Sequence, residues 1–194
     1  MNVVVGVLAL QGAFAAHSEC LASIGVASLE VRTPADLASV DALMMPGGES
    51  STMSQLLESS QLFDAISVRI ADGMPVFGTC AGMILLSSEI LDGRSDQRSF
   101  RAIDISVRRN AFGRQRDSFE KTLATPAGDF NGVFIRAPRI ERVGPAVEVL
   151  AHIDDEPVFV RQGNVMACSF HPELAGDARL HQFFVSTIST TEKV

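Results

Sequence analysis

The 194-residue sequence has no excess of positive charge: 16 Lys and Arg stand against 23 Asp and Glu, a formal charge of −7. A pI near 5.0 argues against general binding to a phosphate backbone, which needs a basic surface. No apolar run approaches the roughly 18–20 residues of a membrane span. No positive segment opens Met1-Asn2-Val3-Val4-Val5, so a signal peptide is not expected. Cysteine is scarce: Cys20, Cys80 and Cys168 are odd in number and include no C-x-x-C pair. Such usage fits a reducing cytoplasm better than a secreted disulfide framework. The chain also lacks internal repeats, low-complexity tracts and Pro/Gly/Ser linkers, so residues 1–194 are expected to form one domain. It holds no G-K-[ST] phosphate loop, nucleotide motif or metal-ligand cluster, and neither cofactor nor metal is expected. What is present is an ordinary globular balance, 46% hydrophobic and 20% charged, at a length that supports a sizeable core.

The first half alternates strand and helix signals. Val3–Leu10 is a near-continuous apolar run and reads as a strand buried on both faces. Ala13–Ile24 has helical spacing and stops at Gly25. Ala27–Val31 and Asp41–Met45 read as strands, Ser51–Ala71 as helix, Pro75–Thr79 as strand and Ala81–Leu91 as an apolar helix. This alternation implies βαβ units and a mostly parallel sheet. In the second half, strands are expected near Ile103–Val107, Gly132–Ile135, Val147–His152, Pro157–Arg161 and Val165–Phe170. Gln162-Gly163-Asn164 reads as a hairpin turn. Asp177–Ile188 closes the chain as a helix. The expected architecture is a three-layer α/β domain of flavodoxin-like type, its sheet parallel at first and mixed later, with helices on both faces.

Gly78-Thr79-Cys80-Ala81-Gly82 lies where a buried strand gives way to a helix. This G-x-nucleophile-x-G pattern is that of a nucleophile elbow, whose sharp turn needs small residues two positions either side. The helix start brings backbone N–H groups and a positive dipole end toward the sulfur, favouring thiolate. A thiolate nucleophile also needs a base and a group to orient it. His171, in Cys168-Ser169-Phe170-His171-Pro172-Glu173, follows an apolar strand, and proline fixes the turn so that His171 and Glu173 project toward one site. His17 and His181 fall on expected helices, and His152 lies beside Asp154-Asp155-Glu156; none of the three is assigned chemistry. Pro46-Gly47-Gly48-Glu49-Ser50 follows the third strand. Its glycines allow backbone N–H groups to approach a substrate, as an oxyanion hole requires.

In this chain order, Pro46-Gly47-Gly48, Gly78-Thr79-Cys80-Ala81-Gly82 and His171-Pro172-Glu173 resemble the class I (triad) glutamine amidotransferases. Further segments are similar to the glutaminase subunits of pyridoxal 5′-phosphate synthases: Leu10-Gln11-Gly12, Gly48-Glu49-Ser50, Arg109-Asn110-Ala111-Phe112-Gly113-Arg114-Gln115 and Phe134-Ile135-Arg136-Ala137-Pro138. The resemblance implies that Cys80 attacks the side-chain amide of L-glutamine and forms a thioester, which water hydrolyses to glutamate. It implies His171 as base and then acid, with Glu173 orienting it, and an oxyanion hole at Gly47, Gly48 and the N–H of Ala81. By the same carry-over Gly48, Glu49, Ser50, Arg109, Ile135 and Arg136 bind glutamine. A guanidinium suits the α-carboxylate, and Glu49 is our own candidate for the α-ammonium. The implied partner is the synthase subunit, in a hetero-oligomer that receives the ammonia directly; no nucleic acid and no membrane is expected as partner.

Arg94–Arg116 carries seven arginines (94, 98, 101, 108, 109, 114 and 116) against Asp96 and Asp104. Such a stretch reads either as solvated loop charge or as a docking surface for an acidic partner. Three competing readings stand beside the main one. A glutaminase serving another biosynthetic partner is disfavoured by the Arg109–Gln115 and Phe134–Pro138 segments. A cysteine-elbow stress-response or peptidase-like protein often takes an acid from near the first helix, where this chain has Gln11 and Gly12. A non-catalytic binding module is disfavoured by the intact Cys80, His171 and Glu173 set.

Overall fold

The structure, a computed structural model, describes residues 3–109 and 118–188. The first half contains β1 (Val4–Leu8), α1 (Phe14–Ser23), β2 (Ala27–Val31), α2 (Pro34–Ala38), β3 (Ala42–Met45), α3 (Ser50–Ser59), α4 (Leu62–Ala71), β4 (Val76–Thr79) and α5 (Ala81–Leu86). Then follow β5 (Ser87–Ile90), β6 (Ile103–Arg108), β7 (Phe119–Thr125), β8 (Gly128–Phe134), β9 (Arg139–Val143), β10 (Glu148–Ile153), β11 (Glu156–Gln162) and β12 (Val165–Cys168). A 3-10 turn at Pro172–Leu174 leads to α6 (Arg179–Thr187).

Seven strands form the main sheet in the order β10-β11-β12-β4-β3-β1-β2. Neighbours from β2 to β12 are parallel, and β11 is antiparallel to both β12 and β10. The parallel-then-mixed order matches the expectation, and its cause is visible in the apolar runs. Strand side chains alternate between faces, so a strand covered on both sides must be apolar at every position. In β3, Leu43 and Met45 enter one core while Ala42 and Met44 enter the other. In β12, Val165 and Ala167 divide from Met166 and Cys168 in the same way. One core is completed by α2 to α5, through residues such as Leu37, Met53, Leu57, Ile66 and Leu85. The other is completed by Leu21 of α1, by Leu180 and Phe184 of α6, and by Phe130 and Phe134 of β8. Each wholly buried Leu, Met or Phe contributes roughly 1.5–3 kcal/mol over exposure.

The structure departs from the sequence reading in several places. Ser51–Ala71 is two helices, broken where Gln61 takes a left-handed φ of 62°. The Ser59 and Ser60 hydroxyls bond back to the carbonyls of Leu56 and Leu57, the competition that ends helices at serine. The helix expected over Ala81–Leu91 stops at Leu86; Ser87 turns extended and its hydroxyl caps the Ile84 carbonyl at 2.7 Å. Ser87–Ile90 then becomes β5, parallel to β6, and β9 completes a separate three-stranded sheet. Strands β7 and β8 form a second small sheet, an antiparallel hairpin lying over the α1/α6 face. The sequence reading missed α2, β7 and β9. The Gln162–Asn164 hairpin is present, with Gly163 at φ 57°.

The carboxyl ends of β1, β3, β4 and β12 fall along one edge of the sheet, where open α/β sheets bind ligands. This edge carries Gln11, Gly47, Cys80 and His171.

Candidate active site

Cys80 sits between the last residue of β4 and the first of α5 with φ 50° and ψ −104°, a conformation L-residues avoid. Its neighbours hold it there. The Cys80 N–H donates to the Cys168 carbonyl at 2.8 Å, fixing the turn to the adjacent strand. A Cβ at Gly78 would strike the Leu86 side chain and the Gly82 backbone, and one at Gly82 would strike the Met45 carbonyl. The glycines two either side of the sulfur are therefore required by close approach, as the elbow pattern predicts.

His171 and Glu173 arrive from the end of β12. The His171 N–H donates to the Val133 carbonyl at 2.8 Å, and Pro172 starts the short turn that brings Glu173 back under the ring. His171 Nδ1 lies 2.8 Å from Glu173 Oε1; an ionised carboxylate only accepts, so Nδ1 carries the proton. Cys80, His171 and Glu173 are 6%, 9% and 7% exposed. Burial pulls the His171 ring down, but its hydrogen bonds with Cys80 and Glu173, and their charges, raise it to about 10. Burial pushes the Glu173 carboxyl up, and the bond from His171 overrides this and holds it below its usual value. Gly47 closes the group: a Cβ there would meet the His171 ring and come within 3.3 Å of Cys80 Cβ.

The remaining predicted residues surround this centre unevenly. Ala81 is the first residue of α5 and is buried. The Cys80 sulfur lies 3.9 Å from the Ile135 carbonyl, and Arg136 follows in a left-handed conformation, φ 46°. Gly48 packs against the Gln11 side chain, whose Oε1 accepts from the Glu49 N–H at 3.0 Å. Glu49 caps α3: its carboxylate accepts from the N–H and hydroxyl of both Ser51 and Thr52. Burial raises this carboxyl, but those four bonds prevail and hold it at about 2. Three of these bonds fall on Oε2 and one on Oε1, which leaves Oε1 as the side with acceptor capacity for a cation. Arg109 is that cation, with Nη2 3.8 Å from Glu49 Oε1.

Gln97 is a site candidate that the sequence reading missed. Its Oε1 accepts from Arg109 Nη1 at 3.0 Å and its Nε2 donates to Ser50 Oγ at 3.0 Å. It joins two of the expected glutamine-binding residues from a loop whose sequence matched no pattern. The arginine-rich stretch around it is largely paired at home: Arg94 with Asp96, Arg98 with Glu58 and Asp64, Arg108 with Glu141. Residues 110–117, which include most of the Arg109–Gln115 segment with Arg114 and Arg116, lie outside the described residues. A depression of about 510 Å³ beside Gln97, lined also by Arg94, Arg98 and Arg101, includes none of Cys80, His171 and Glu173. His152 is exposed on β10. His17 and His181 are both wholly buried, and His17 Nε2 lies 3.4 Å from Glu173 Oε2, a proximity the sequence does not show. Among the described residues no cluster of His, Cys, Asp and Glu is arranged to hold a metal, and no helix is long and apolar enough to cross a membrane.

A strained cysteine at a strand–helix elbow, a buried His–Glu pair beside it and a glycine loop against both form the arrangement that thiol-dependent acyl transfer on a doubly wound sheet requires. Comparison with known proteins narrows it. The SNO glutamine amidotransferase family matches residues 7–190. The chain is 53% identical over 193 residues to "Pyridoxal 5′-phosphate synthase subunit PdxT" of Salinispora arenicola, covering 95% of this chain and 96% of the relative. It is 54% identical over 190 residues to the protein of the same name from Mycobacteroides abscessus, covering 97% and 98%. A solved structure described as a glutamine amidotransferase superposes with a TM-score of 0.90 at 48% identity, covering 95% and 98%. The chain belongs to the SNO glutamine amidotransferase family.

Proposed function

We propose that this protein hydrolyses L-glutamine to L-glutamate and ammonia and delivers the ammonia for pyridoxal 5′-phosphate formation. The observation that carries the reading is Cys80 in its strained elbow beside the 2.8 Å His171–Glu173 pair. Near-full-length relatives named as subunits of pyridoxal 5′-phosphate synthase support the destination of the ammonia.

Cys80 gives its thiol proton to His171, and the thiolate attacks the side-chain carbonyl carbon of glutamine, forming a C–S bond and breaking the C=O π bond so that charge develops on oxygen. Backbone N–H groups of Gly47, Gly48 and Ala81 receive that charge. His171, raised to about 10, holds a proton at neutral pH and gives it to the leaving nitrogen as the C–N bond breaks. The thioester remains. His171 then takes a proton from water, hydroxide adds to the thioester, and glutamate departs as Cys80 is regenerated. Glu173 keeps the His171 ring in register and stabilises its cationic form. Arg109 meets the substrate α-carboxylate, Glu49 supplies negative charge toward the α-ammonium, and Ser50, Ile135 and Arg136 complete the site. Gln97 holds Ser50 and Arg109 in place.

Free ammonia is protonated and diluted at neutral pH, so the acceptor chemistry must sit against the site that makes it. We assign that chemistry to a separate synthase subunit in a hetero-oligomer, with residues 1–194 acting as one amidotransferase domain. Three free thiols support a reducing, cytoplasmic compartment. The test is glutamate release from glutamine by the purified chain, alone and with the synthase subunit. Strong stimulation by the subunit is the expected result. High activity alone without stimulation would reassign the partner, and silence in both conditions would refute the reading.

A further inference from the structure

The reaction leaves one buried polar cluster without a use. His17 on α1 and His181 on α6 are both 0% exposed and lie on the core face filled by Phe77, Phe159 and Phe184. Imidazoles in such surroundings cost free energy unless they are hydrogen-bonded. His17 Nδ1 lies 3.0 Å from His181 Nε2, and His17 Nε2 lies 3.2 Å from the Thr79 hydroxyl. The same Nε2 is 3.4 Å from Glu173 Oε2, the carboxylate oxygen that His171 does not use and that has no hydrogen-bond partner among the described residues, so this contact acts by charge over a short gap. Cys20, one turn along α1, donates to the Glu173 carbonyl at 3.9 Å. Helix α1 therefore faces the backbone and the far side of the triad acid.

The protons in this cluster can be placed. Burial lowers both rings, His181 to about 3, so each is neutral and carries one N–H. Were the His17 proton on Nδ1, a bare nitrogen would face the Glu173 carboxylate and His181 would bury an unpartnered N–H at Nδ1. With both protons on Nε2, His181 donates to His17, and His17 directs its N–H at the Thr79 hydroxyl with the positive end of that bond beside Glu173 Oε2. Of the four ring nitrogens, the one left without a hydrogen bond is then a bare acceptor, Nδ1 of His181. Neutrality also has a consequence: a cation at His17 would compete with His171 for one carboxylate.

We infer that His17, held in a single tautomer by His181, is a positioning residue for Glu173, the positive end of its Nε2–H, anchored on Thr79, attracting the carboxylate oxygen that His171 leaves unbound. Thr79, on the same Nε2, directly precedes Cys80, so one imidazole ties the triad acid to the nucleophile strand. The inference rests on the triad reading of Cys80, His171 and Glu173.

The test compares His17→Phe, which fills the space without a donor, with His17→Gln, which restores one, each measured as glutaminase in complex with the synthase subunit. His17→Phe is expected to lower kcat roughly 10- to 100-fold, the usual scale for groups that orient a catalytic residue, with KM within about twofold. His17→Gln is expected to recover most of that loss. Equal loss in both variants, or wild-type kcat in His17→Phe, would overturn the inference while leaving the triad intact. Loss of the triad reading itself would show separately, as wild-type activity in His171→Ala. Ring-nitrogen NMR on the wild-type protein gives a readout independent of turnover and of variant folding. Protons on Nε2 of both His17 and His181 are expected, and a proton on His181 Nδ1 would refute the assignment.

Discussion

Glu173→Gln removes a charge while keeping the shape that bears it. The glutamine carbonyl can still accept from His171 Nδ1, now bound at 2.8 Å, so ring orientation survives and the loss is electrostatic. A hydrogen bond to a charged group contributes about 1.5–3 kcal/mol against about 0.5–1.5 for a neutral one. Direct Coulomb attraction between carboxylate and imidazolium near 4 Å is worth about 4 kcal/mol at an effective dielectric of about 20. These describe overlapping electrostatics and are not summed. The expected penalty is about 2–4 kcal/mol, or about 30- to 1,000-fold in kcat. The new amide N–H₂ also faces the His17 N–H, donor against donor, which pushes toward the upper end. Steady-state glutaminase kinetics with the synthase subunit present measure the effect. KM should stay within about twofold, because Glu173 touches no substrate. The alkaline limb of the pH–rate profile should move to lower pH, since one of the groups raising His171 is gone. An unchanged kcat, or a raised KM at constant kcat, would refute the assignment of Glu173.

Other substitutions probe other parts of the site. Cys80→Ala should abolish glutamine-dependent product formation while leaving ammonia-supported formation by the partner intact, and glutamate release at the wild-type rate would refute the elbow assignment. Arg109→Ala and Gln97→Ala should both raise the glutamine KM, the first by about tenfold or more for a lost charged contact; unchanged values would remove both from the site. Glu49→Ala should cost about 1 kcal/mol of stability at neutral pH by uncapping α3. The native carboxyl sits at about 2 rather than 4.5, so this stabilisation is present above pH 4.5 and lost as pH falls toward 2. Unfolding curves of wild type and variant should converge over that window. For His171 the sign is opposite: with the native value at about 10 rather than 6.5, its stabilisation is full below pH 6.5 and lost as pH rises through 10. The wild-type Tm should fall more across that range than the Tm of Glu173→Gln.

The parts of the site legible in the sequence were those built from local spacing. Gly78, Cys80 and Gly82 lie within five residues, and their geometry follows from one strand–helix junction. His171 and Glu173 are two apart across a proline. The parallel strands were legible because burial on both faces leaves them apolar throughout. The contact of His17 with His181 spans 164 positions, and a lone histidine on a helix looks the same whether it packs, faces solvent or holds a carboxylate. Gln97 was hidden for the same reason, since its role exists only once its loop folds over Ser50 and Arg109. Strand β7 (Phe-Glu-Lys-Thr-Leu-Ala-Thr) shows mainly polar positions because only one of its faces is covered. The helix expected through Leu91 failed where apolar content was mistaken for helical period, although Ser87 and Ser88 interrupt it.

The central claim is that nitrogen from glutamine passes through chemistry at Cys80 to the pyridoxal 5′-phosphate product. It is tested most directly with glutamine labelled with ¹⁵N in its side-chain amide, incubated with wild type or Cys80→Ala, the synthase subunit and its substrates, in excess unlabelled ammonium. The account predicts ¹⁵N in the product with wild type, undiminished by the unlabelled pool, and none with Cys80→Ala. Equal labelling from both proteins would contradict it.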